Sequence, residues 1–201
     1  MQCRGGLNSM LTQEAVREIF LEAGALQTGH FLLSSGRHSE EYWEKFWVLQ
    51  RPDHVETLCA EIARRFRNDN IEVVLGPTTG GILLALEVGR QMGVKALYAE
   101  KEDGVRMLRR GLQLPIGTRT LIVDDILTTG GAVKECVDLA ESHEAKIVGA
   151  AVIVDRSGGK VDLGYRLESL LSVQGISFST EECPLCKLGV PLKKPGSSIQ
   201  K

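Results

Sequence analysis

Residues 120–135 have the sequence TLIVDDILTTGGAVKE, in which an apolar run leads to a glycine-rich turn and a helical pattern. The first four residues are β-branched or aliphatic, which is typical of a buried parallel strand. Asp124 and Asp125 follow where this strand is predicted to end, and two threonines and two glycines precede a helix predicted from Ala132. Glycines let a backbone approach a ligand closely, and the first N–H groups of a helix point at an anion. The pattern therefore predicts a phosphate-binding turn.

The acidic pair needs its own explanation, because two carboxylates beside a phosphate would repel it. They suit a ligand that also carries neighbouring hydroxyls or a divalent cation, as a phosphorylated ribose with Mg²⁺ does. The alternative is a plain strand-to-helix connection in which Asp125 and Thr128 are turn and capping residues. The spacing is more specific than a lone glycine motif, so the ligand-binding interpretation is favoured.

This stretch resembles the phosphoribosyl pyrophosphate (PRPP) signature of the type I phosphoribosyltransferases. The resemblance implies that Asp124 and Asp125 bind the ribose hydroxyls and belong to the catalytic set. It also implies that the following turn binds the 5′-phosphate of PRPP. The residues carried over to that loop are Ile126, Leu127, Thr128, Thr129, Gly130, Gly131 and Ala132.

Length and composition predict an ordinary globular protein. The chain has 201 residues, 43% hydrophobic and 25% charged, with a formal charge of −2, which disfavours a nucleic-acid partner. It has no run of 18 apolar residues, so we expect neither a transmembrane helix nor a membrane partner. The first ten residues lack the pattern of a secretory signal. Five scattered cysteines indicate no disulfide framework, which favours the cytoplasm.

Residues 29–39, GHFLLSSGRHS, predict an extended segment with a turn at Ser35 and Gly36. From composition alone, a solvated loop is favoured over a polar site. With the aromatic residues that follow, the segment resembles the part of orotate phosphoribosyltransferases that forms a hood over the base site. Many members carry a lysine where this chain has Ser34, so one expected ligand contact is missing.

A second strand–loop–helix unit precedes the first. The apolar run 71–75 leads into GPTTGG at 76–81, and a helix is predicted from Ile82. Alone this is weak evidence of an anion site. With the acidic unit it resembles the family's pyrophosphate loop, which implies PRPP contacts at Thr79 and Gly80. Other members carry Tyr-Lys there, so we expect backbone N–H groups, not a side-chain charge, to bind pyrophosphate.

Residues 100–111 carry four basic and three acidic side chains without clear periodicity. They are either a solvated hairpin or crossover, or a mobile lid that brings cations onto a leaving group. The resemblance implies a lid that often closes across a dimer interface. It makes Lys101 the first candidate for a catalytic, PRPP-binding cation and Arg106 a second PRPP contact, with Arg109 and Arg110 in support.

Arg156 follows the apolar run 147–154. It is either a surface charge or a guanidinium placed to bind a planar carboxylate through two parallel hydrogen bonds. The resemblance implies that Arg156 binds the carboxylate of orotate and that Thr128 also contacts the base. Arg156 therefore favours orotate over a purine.

Cys183 and Cys186 form a Cys-x-x-Cys motif, which is half of a tetrahedral zinc site. Because the sequence has no second such pair, a structural tail without metal is favoured. We expect no protein side chain to be a firm metal ligand, with Mg²⁺ held mainly by PRPP and water.

Strands near 71–75, 94–99, 120–124, 147–154 and 167–173 alternate with helices. They predict an α/β fold with a mainly parallel, doubly wound sheet flanked by helices, in which ligands bind at the carboxyl ends of the strands.

The resemblance adds a small hood to this fold. It implies one domain over residues 1–201, with a core at about 51–173 and a hood from about 11–50 and the tail after 174. It also implies transfer of the phosphoribosyl group from PRPP to orotate, giving orotidine 5′-monophosphate and pyrophosphate in pyrimidine synthesis, with Mg²⁺ as cofactor and a homodimer as assembly. The alternatives are a type I phosphoribosyltransferase that acts on a purine base, and a non-catalytic PRPP-sensing regulator.

Overall fold

The computed structural model describes residues 10–33 and 35–195. Ser34 and residues 1–9, which entered the analysis above, lie outside these ranges. The helices and strands are α1 (Gln13–Glu22), β1 (Leu26–Leu32), β2 (His38–Trp43), α2 (Phe46–Leu49), α3 (Pro52–Arg65), β3 (Val73–Pro77), α4 (Gly80–Met92), β4 (Lys95–Glu102), β5 (Val105–Met107), β6 (Arg119–Leu127), α5 (Gly131–Ser142), β7 (Lys146–Asp155), β8 (Leu167–Ser172) and α6 (Pro184–Lys187). In the part of the chain described, no helix is both long enough and apolar enough to cross a membrane.

The main sheet has six strands in the order β5-β4-β3-β6-β7-β8. The pairs β3–β4, β3–β6, β6–β7 and β7–β8 are parallel, whereas β4–β5 is an antiparallel hairpin at the edge. The predicted α/β fold with a mainly parallel sheet is confirmed. Because the parallel strands end at the same edge, the loops after β3, β6 and β7 open on the same side.

Both faces of the sheet are covered, and the strand residues alternate between two apolar cores. On one face Val74, Leu121 and Val123 pack with buried residues of α1, α3 and α4. On the other face Leu75 and Ile122 pack with α5. A strand that is buried on both sides reads as a continuous apolar run, which explains the uninterrupted pattern at the start of β6.

Three predicted boundaries were wrong at the site edge. Strand β6 does not end at the acidic pair but continues to Leu127, because its last residues pair with Val154 and Asp155 of β7. Strand β4 runs past the predicted end into the edge hairpin with β5. Helix α4 begins at Gly80, two residues before its predicted start. In each case pairing or packing with a neighbouring element extends the local pattern.

The second sheet is the antiparallel β1–β2 hairpin, whose turn contains Gly36 at φ +77°. The C-terminal tail is bonded to it at both strands. Leu32 N donates to Lys193 O at 2.8 Å, and His38 N donates to Phe178 O at 2.9 Å. We call this hairpin together with residues 174–195 the hood, because it lies beside the carboxyl edge of the main sheet.

Candidate active site

The loop between β6 and α5 has the geometry of an anion-binding loop at the N-terminus of a helix. Gly130 precedes α5 with φ +80°, and a Cβ added there would lie 2.6 Å from Val161 Cγ1. Within the described residues, no side chain caps the first turn of α5, so its N–H groups are available to a ligand. A cavity of about 70 Å³ lies here, lined by Asp124 and residues 126–133. The structure therefore brings the predicted phosphate loop and one carboxylate to one small cavity.

The two carboxylates of the acidic pair have different surroundings. Asp124 lines the loop cavity, and its Oδ1 accepts a hydrogen bond of 2.8 Å from the Asp125 N–H. Burial, followed by the neighbouring Asp125 charge, raises the pKa of Asp124 to about 7. Asp125 is only 2% exposed. Asp124 is therefore the carboxylate that faces the cavity, and its negative charge is disfavoured without a ligand.

Asp125 is held by a lysine that the sequence analysis did not identify. Lys45 Nζ lies 2.8 Å from Asp125 Oδ1, which also accepts a bond of 2.6 Å from Ile126 N–H. Asp125 Oδ2 is buried and has no hydrogen-bond partner in the described ranges. A Cβ added to Gly80 would lie 1.7 Å from this Oδ2. Gly80 thus supplies the space for a carboxylate, at the position where other family members carry a lysine.

The predicted pyrophosphate loop joins β3 to α4, and its Thr78–Thr79 peptide bond is cis. No side-chain cap is present on α4 among the described residues, with Thr79 as its N-cap residue. Arg106 reaches this loop from the edge hairpin, donating from Nη1 to Thr78 Oγ1 at 3.3 Å. The loop therefore combines free N–H groups with a cation, as an anion site requires.

The basic segment predicted as a hairpin or a lid is a hairpin in this structure, and its cations are bonded to carboxylates. Lys101 Nζ and Arg106 Nε both bond Glu135 of α5, the latter at 3.0 Å. Arg109 pairs with Glu102, and Arg110 pairs with Glu100. The hydrogen bond from Lys101 lowers the pKa of Glu135. Arg106 therefore lies at the predicted pyrophosphate loop, whereas Lys101 is hydrogen-bonded to Glu135 of α5.

Arg156 is next to a larger cavity of about 570 Å³ between the sheet edge and the hood. Its guanidinium lies 6.0 Å from the centroid of the Trp43 ring, and burial lowers its pKa. The Arg156 Nε is buried without a hydrogen-bond partner in the described part of the chain. The cavity is lined by Leu32, Leu33, Ser35, Tyr42, Trp43, Thr128, Thr129, Arg156, Gly175, Ile176, Ser177 and Pro195. It therefore joins Arg156 to Thr128, the two residues predicted to contact the base.

Replacing Lys45 by methionine should lower the free energy of unfolding by about 1–2 kcal/mol, because the buried Asp125 loses its counter-charge. The estimate is below that of a fully buried pair, since the Lys45 side chain is 35% exposed. Urea unfolding at pH 7.5 measures the change. Lys134→Met is the control, because it breaks an exposed pair with Asp138 and should change the free energy of unfolding much less. Equal losses in the two variants would contradict a special role for the Lys45–Asp125 pair.

Comparison with known proteins identifies the class to which this site belongs. The phosphoribosyl transferase domain family matches residues 48–182, which include the acidic pair and both glycine loops. The orotate phosphoribosyltransferase of Pelotomaculum thermopropionicum is 48% identical over 187 residues, covering 93% of this chain and 98% of that protein. That of Caldanaerobacter subterraneus has the same identity and coverage.

A solved structure agrees with these relatives. The crystal structure of orotate phosphoribosyltransferase from Aeropyrum pernix matches with a TM-score of 0.65 and 25% identity, covering 87% of this chain and 98% of that one. The chain therefore belongs to the phosphoribosyltransferase family and, within it, to the orotate phosphoribosyltransferases. The predicted family resemblance is confirmed.

Proposed function

We propose that this chain transfers the 5-phosphoribosyl group from PRPP to a ring nitrogen of orotate, releasing pyrophosphate, in pyrimidine synthesis. One observation supports the choice of base most strongly. A buried guanidinium nitrogen without a partner among the described residues lies beside a cavity that reaches the phosphate loop. A planar carboxylate on the base would satisfy this guanidinium. Orotate has that carboxylate, and the common purine bases do not.

The residues divide the binding of PRPP between them. The loop from Ile126 to Ala132 receives the 5′-phosphate, mainly through the uncapped N–H groups at the start of α5, and the loop at Thr79 and Gly80 receives pyrophosphate. Asp124, in its ionised form, accepts hydrogen bonds from ribose hydroxyls. Lys45 orients Asp125 next to it. These contacts hold the reacting carbon of the ribose against the base cavity, so that catalysis relies largely on positioning.

The cations of the edge hairpin are proposed to act on the leaving group. Pyrophosphate carries more negative charge than the single Glu135 carboxylate that now binds Lys101 and Arg106. We infer that both side chains exchange Glu135 for pyrophosphate as the bond to the ribose breaks. Charge that develops on the leaving group is then stabilised by groups already close to it.

Mg²⁺ is proposed as the cofactor, and the donor set fits an ion held mainly by substrate. Asp125 offers little to a cation, because its Oδ1 accepts two bonds and its Oδ2 is packed against Gly80. Asp124 remains the carboxylate open to the loop cavity. The remaining hard oxygen ligands would come from PRPP and water. When bound, Mg²⁺ neutralises charge on pyrophosphate.

Two other functions are distinguished by one experiment. The protein is incubated with PRPP, Mg²⁺ and orotate, hypoxanthine or adenine in turn, and loss of base and release of pyrophosphate are followed. Turnover with orotate is expected. Turnover with a purine base instead would replace the proposed substrate, and PRPP binding without turnover would favour a regulator.

Arg156→Ala should raise the KM for orotate by about 50-fold and change the KM for PRPP by less than threefold, because two charge-assisted hydrogen bonds to one substrate are lost. Steady-state kinetics with each substrate varied in turn measures both constants. Arg51→Ala is the control and should leave both constants near their wild-type values, since Arg51 forms an exposed pair with Asp53 and does not line the cavity. A similar rise in the KM for both substrates would contradict the placement of Arg156 in the orotate site.

We propose a cytoplasmic homodimer that binds neither nucleic acid nor membrane. Four cysteines, Cys59, Cys136, Cys183 and Cys186, are free, which supports a reducing compartment. The formal charge of −2 disfavours a polyanionic partner. The dimer is proposed from the family resemblance, and sedimentation at micromolar concentration tests it.

A further inference from the structure

Four potential metal ligands converge in the hood. His30 and His38 come from the β1–β2 hairpin, and Cys183 and Cys186 come from the tail around α6. One ligand atom from each of the four lies within 4.8 Å of the other three. We call them the His₂Cys₂ cluster. The sequence analysis found the cysteine pair but missed the two histidines, which are more than 140 residues away along the chain.

Four of the six distances between these atoms are close to the edges of a tetrahedron around zinc, and the other two are within 4.8 Å. The His30 Nε2 to His38 Nδ1 distance is 2.9 Å. Cys186 Sγ lies 3.2 Å from His38 Nδ1 and 3.6 Å from His30 Nε2, and Cys183 Sγ lies 3.4 Å from His30 Nε2. With zinc bonds of about 2.0–2.1 Å to nitrogen and about 2.3 Å to sulfur, the ideal separations are about 3.3 Å between nitrogens and about 3.5 Å between nitrogen and sulfur.

The outer contacts of His30 prepare it as a ligand. Its Nδ1–H donates to the Val190 carbonyl oxygen at 2.8 Å, so in the neutral imidazole Nε2 carries the lone pair. That lone pair faces His38 Nδ1 and both sulfur atoms at once. A hydrogen bond can link His30 Nε2 to only one of these three atoms, whereas a metal ion can bind Nε2 and all three at the same time. The backbone contact that fixes the tautomer is the usual support for a metal-binding histidine.

Burial and connectivity indicate a structural ion rather than a catalytic one. His30 and His38 are 2% and 3% exposed and Cys183 is fully buried, whereas Cys186 closes the cluster at the surface. Four protein ligands leave no open position for a substrate or water. Cys183 and Cys186 are separated by one turn of α6, and Gly189 at φ +67° turns the chain back after it. Two nitrogens and two sulfurs in tetrahedral array select zinc over magnesium or calcium.

We propose that the His₂Cys₂ cluster binds one structural Zn²⁺ that fastens the C-terminal tail to the β1–β2 hairpin. The tail meets the hairpin through short backbone bridges at Phe31 and His38 and buries few apolar residues, so a metal would supply much of its attachment. Hairpin and tail both line the 570 Å³ cavity beside Arg156. The ion is thus expected to hold the shape of that cavity without contacting its ligand.

Metal content tests the proposal directly. Protein purified with reductant and without added metal should contain about one zinc ion per chain, as measured by inductively coupled plasma mass spectrometry. After anaerobic replacement by Co²⁺, the protein should show the intense visible absorption of a tetrahedral thiolate site. Cys186→Ser should lose at least about 90% of the zinc and lower Tm by more than about 5 °C. Cys59→Ala removes a core thiol outside the cluster and should keep its zinc.

Several results would overturn the proposal. These are less than about 0.1 zinc per chain both before and after anaerobic reconstitution, no thiolate absorption with Co²⁺, or equal zinc in Cys186→Ser and wild type. If Cys186→Ser fails to fold, the Co²⁺ spectrum of the wild-type protein remains decisive. A rise in the KM for orotate after zinc removal is also expected, and this point rests on the proposed function. The metal readouts stand whether or not orotate is the substrate.

Discussion

Asp124→Asn should lower kcat/KM for PRPP by about 1000-fold and at the same time stabilise the ligand-free protein at pH 8. The activity falls because the ionised Asp124, which lines the phosphate-loop cavity, is the proposed acceptor for ribose hydroxyls. Asparagine keeps the oxygen that accepts the Asp125 N–H, so the loop geometry is retained. Steady-state kinetics measures the loss. Asp138→Asn, an exposed aspartate of α5, is the control and should stay near wild-type activity.

The stability gain follows from the sign of the pKa shift. Burial raises the pKa of Asp124 from 3.8 to about 7, so between these values the folded chain binds more protons than the unfolded chain. In the wild-type protein, the stabilisation that protonated Asp124 gives to the folded state is therefore complete below about pH 4. It is lost as the pH rises through 7. Relative to wild type, the variant should gain on the order of 4 kcal/mol in free energy of unfolding from pH 4 to pH 8, because the pKa of Asp124 is about 3 higher in the folded chain. A difference that does not change with pH would contradict this account.

Gly80→Ala should reduce kcat/KM by at least about 100-fold, although alanine is normally the better residue in a helix by up to about 1 kcal/mol. The added Cβ would lie 1.7 Å from Asp125 Oδ2 and 3.1 Å from Leu49 Cδ1, so the carboxylate must leave its position. That movement would break its bond to Lys45 and disturb Asp124 beside it.

A double-mutant cycle isolates this contact. In an Asp125→Ala background the carboxylate is absent, so the further change Gly80→Ala should alter kcat/KM by less than about threefold. Thermal unfolding should show the same pattern, with a loss of stability in the wild-type background and little change in the other. Equal effects of Gly80→Ala in both backgrounds would mean that the glycine is required by the backbone conformation and not by the space that the Asp125 carboxylate occupies.

Local pattern was sufficient to predict the five parallel strands of the main sheet and the elements that surround the phosphate loop. Strand β6, the glycine turn and α5 are contiguous in sequence, and parallel strands place Arg156 at the edge where Thr128 lies. Lys45 could not be found in this way, because it meets Asp125 across 80 residues and belongs to no motif. The same holds for His30 and His38, which only tertiary contact brings to the cysteine pair.

The edge hairpin shows why the end of a strand is difficult to predict. Residues Val105 to Met107 are too few to predict a strand from sequence, and pairing with β4 is what makes them one. The basic side chains there gave two interpretations, since mixed charge is compatible with both a hairpin and a lid. The pairing with β4 and the contacts of Lys101 and Arg106 with Glu135 show that the segment is a hairpin here.

The hood is built from two segments that leave the ribosome at different times. Its hairpin is made before any strand of the main sheet, and residues 174–195 are made after all of them. The sheet can therefore fold around its two apolar cores while the compartment for the base still lacks one wall. Such a nascent chain can complete its core before the tail closes the base cavity, so its full substrate selectivity depends on its last contacts.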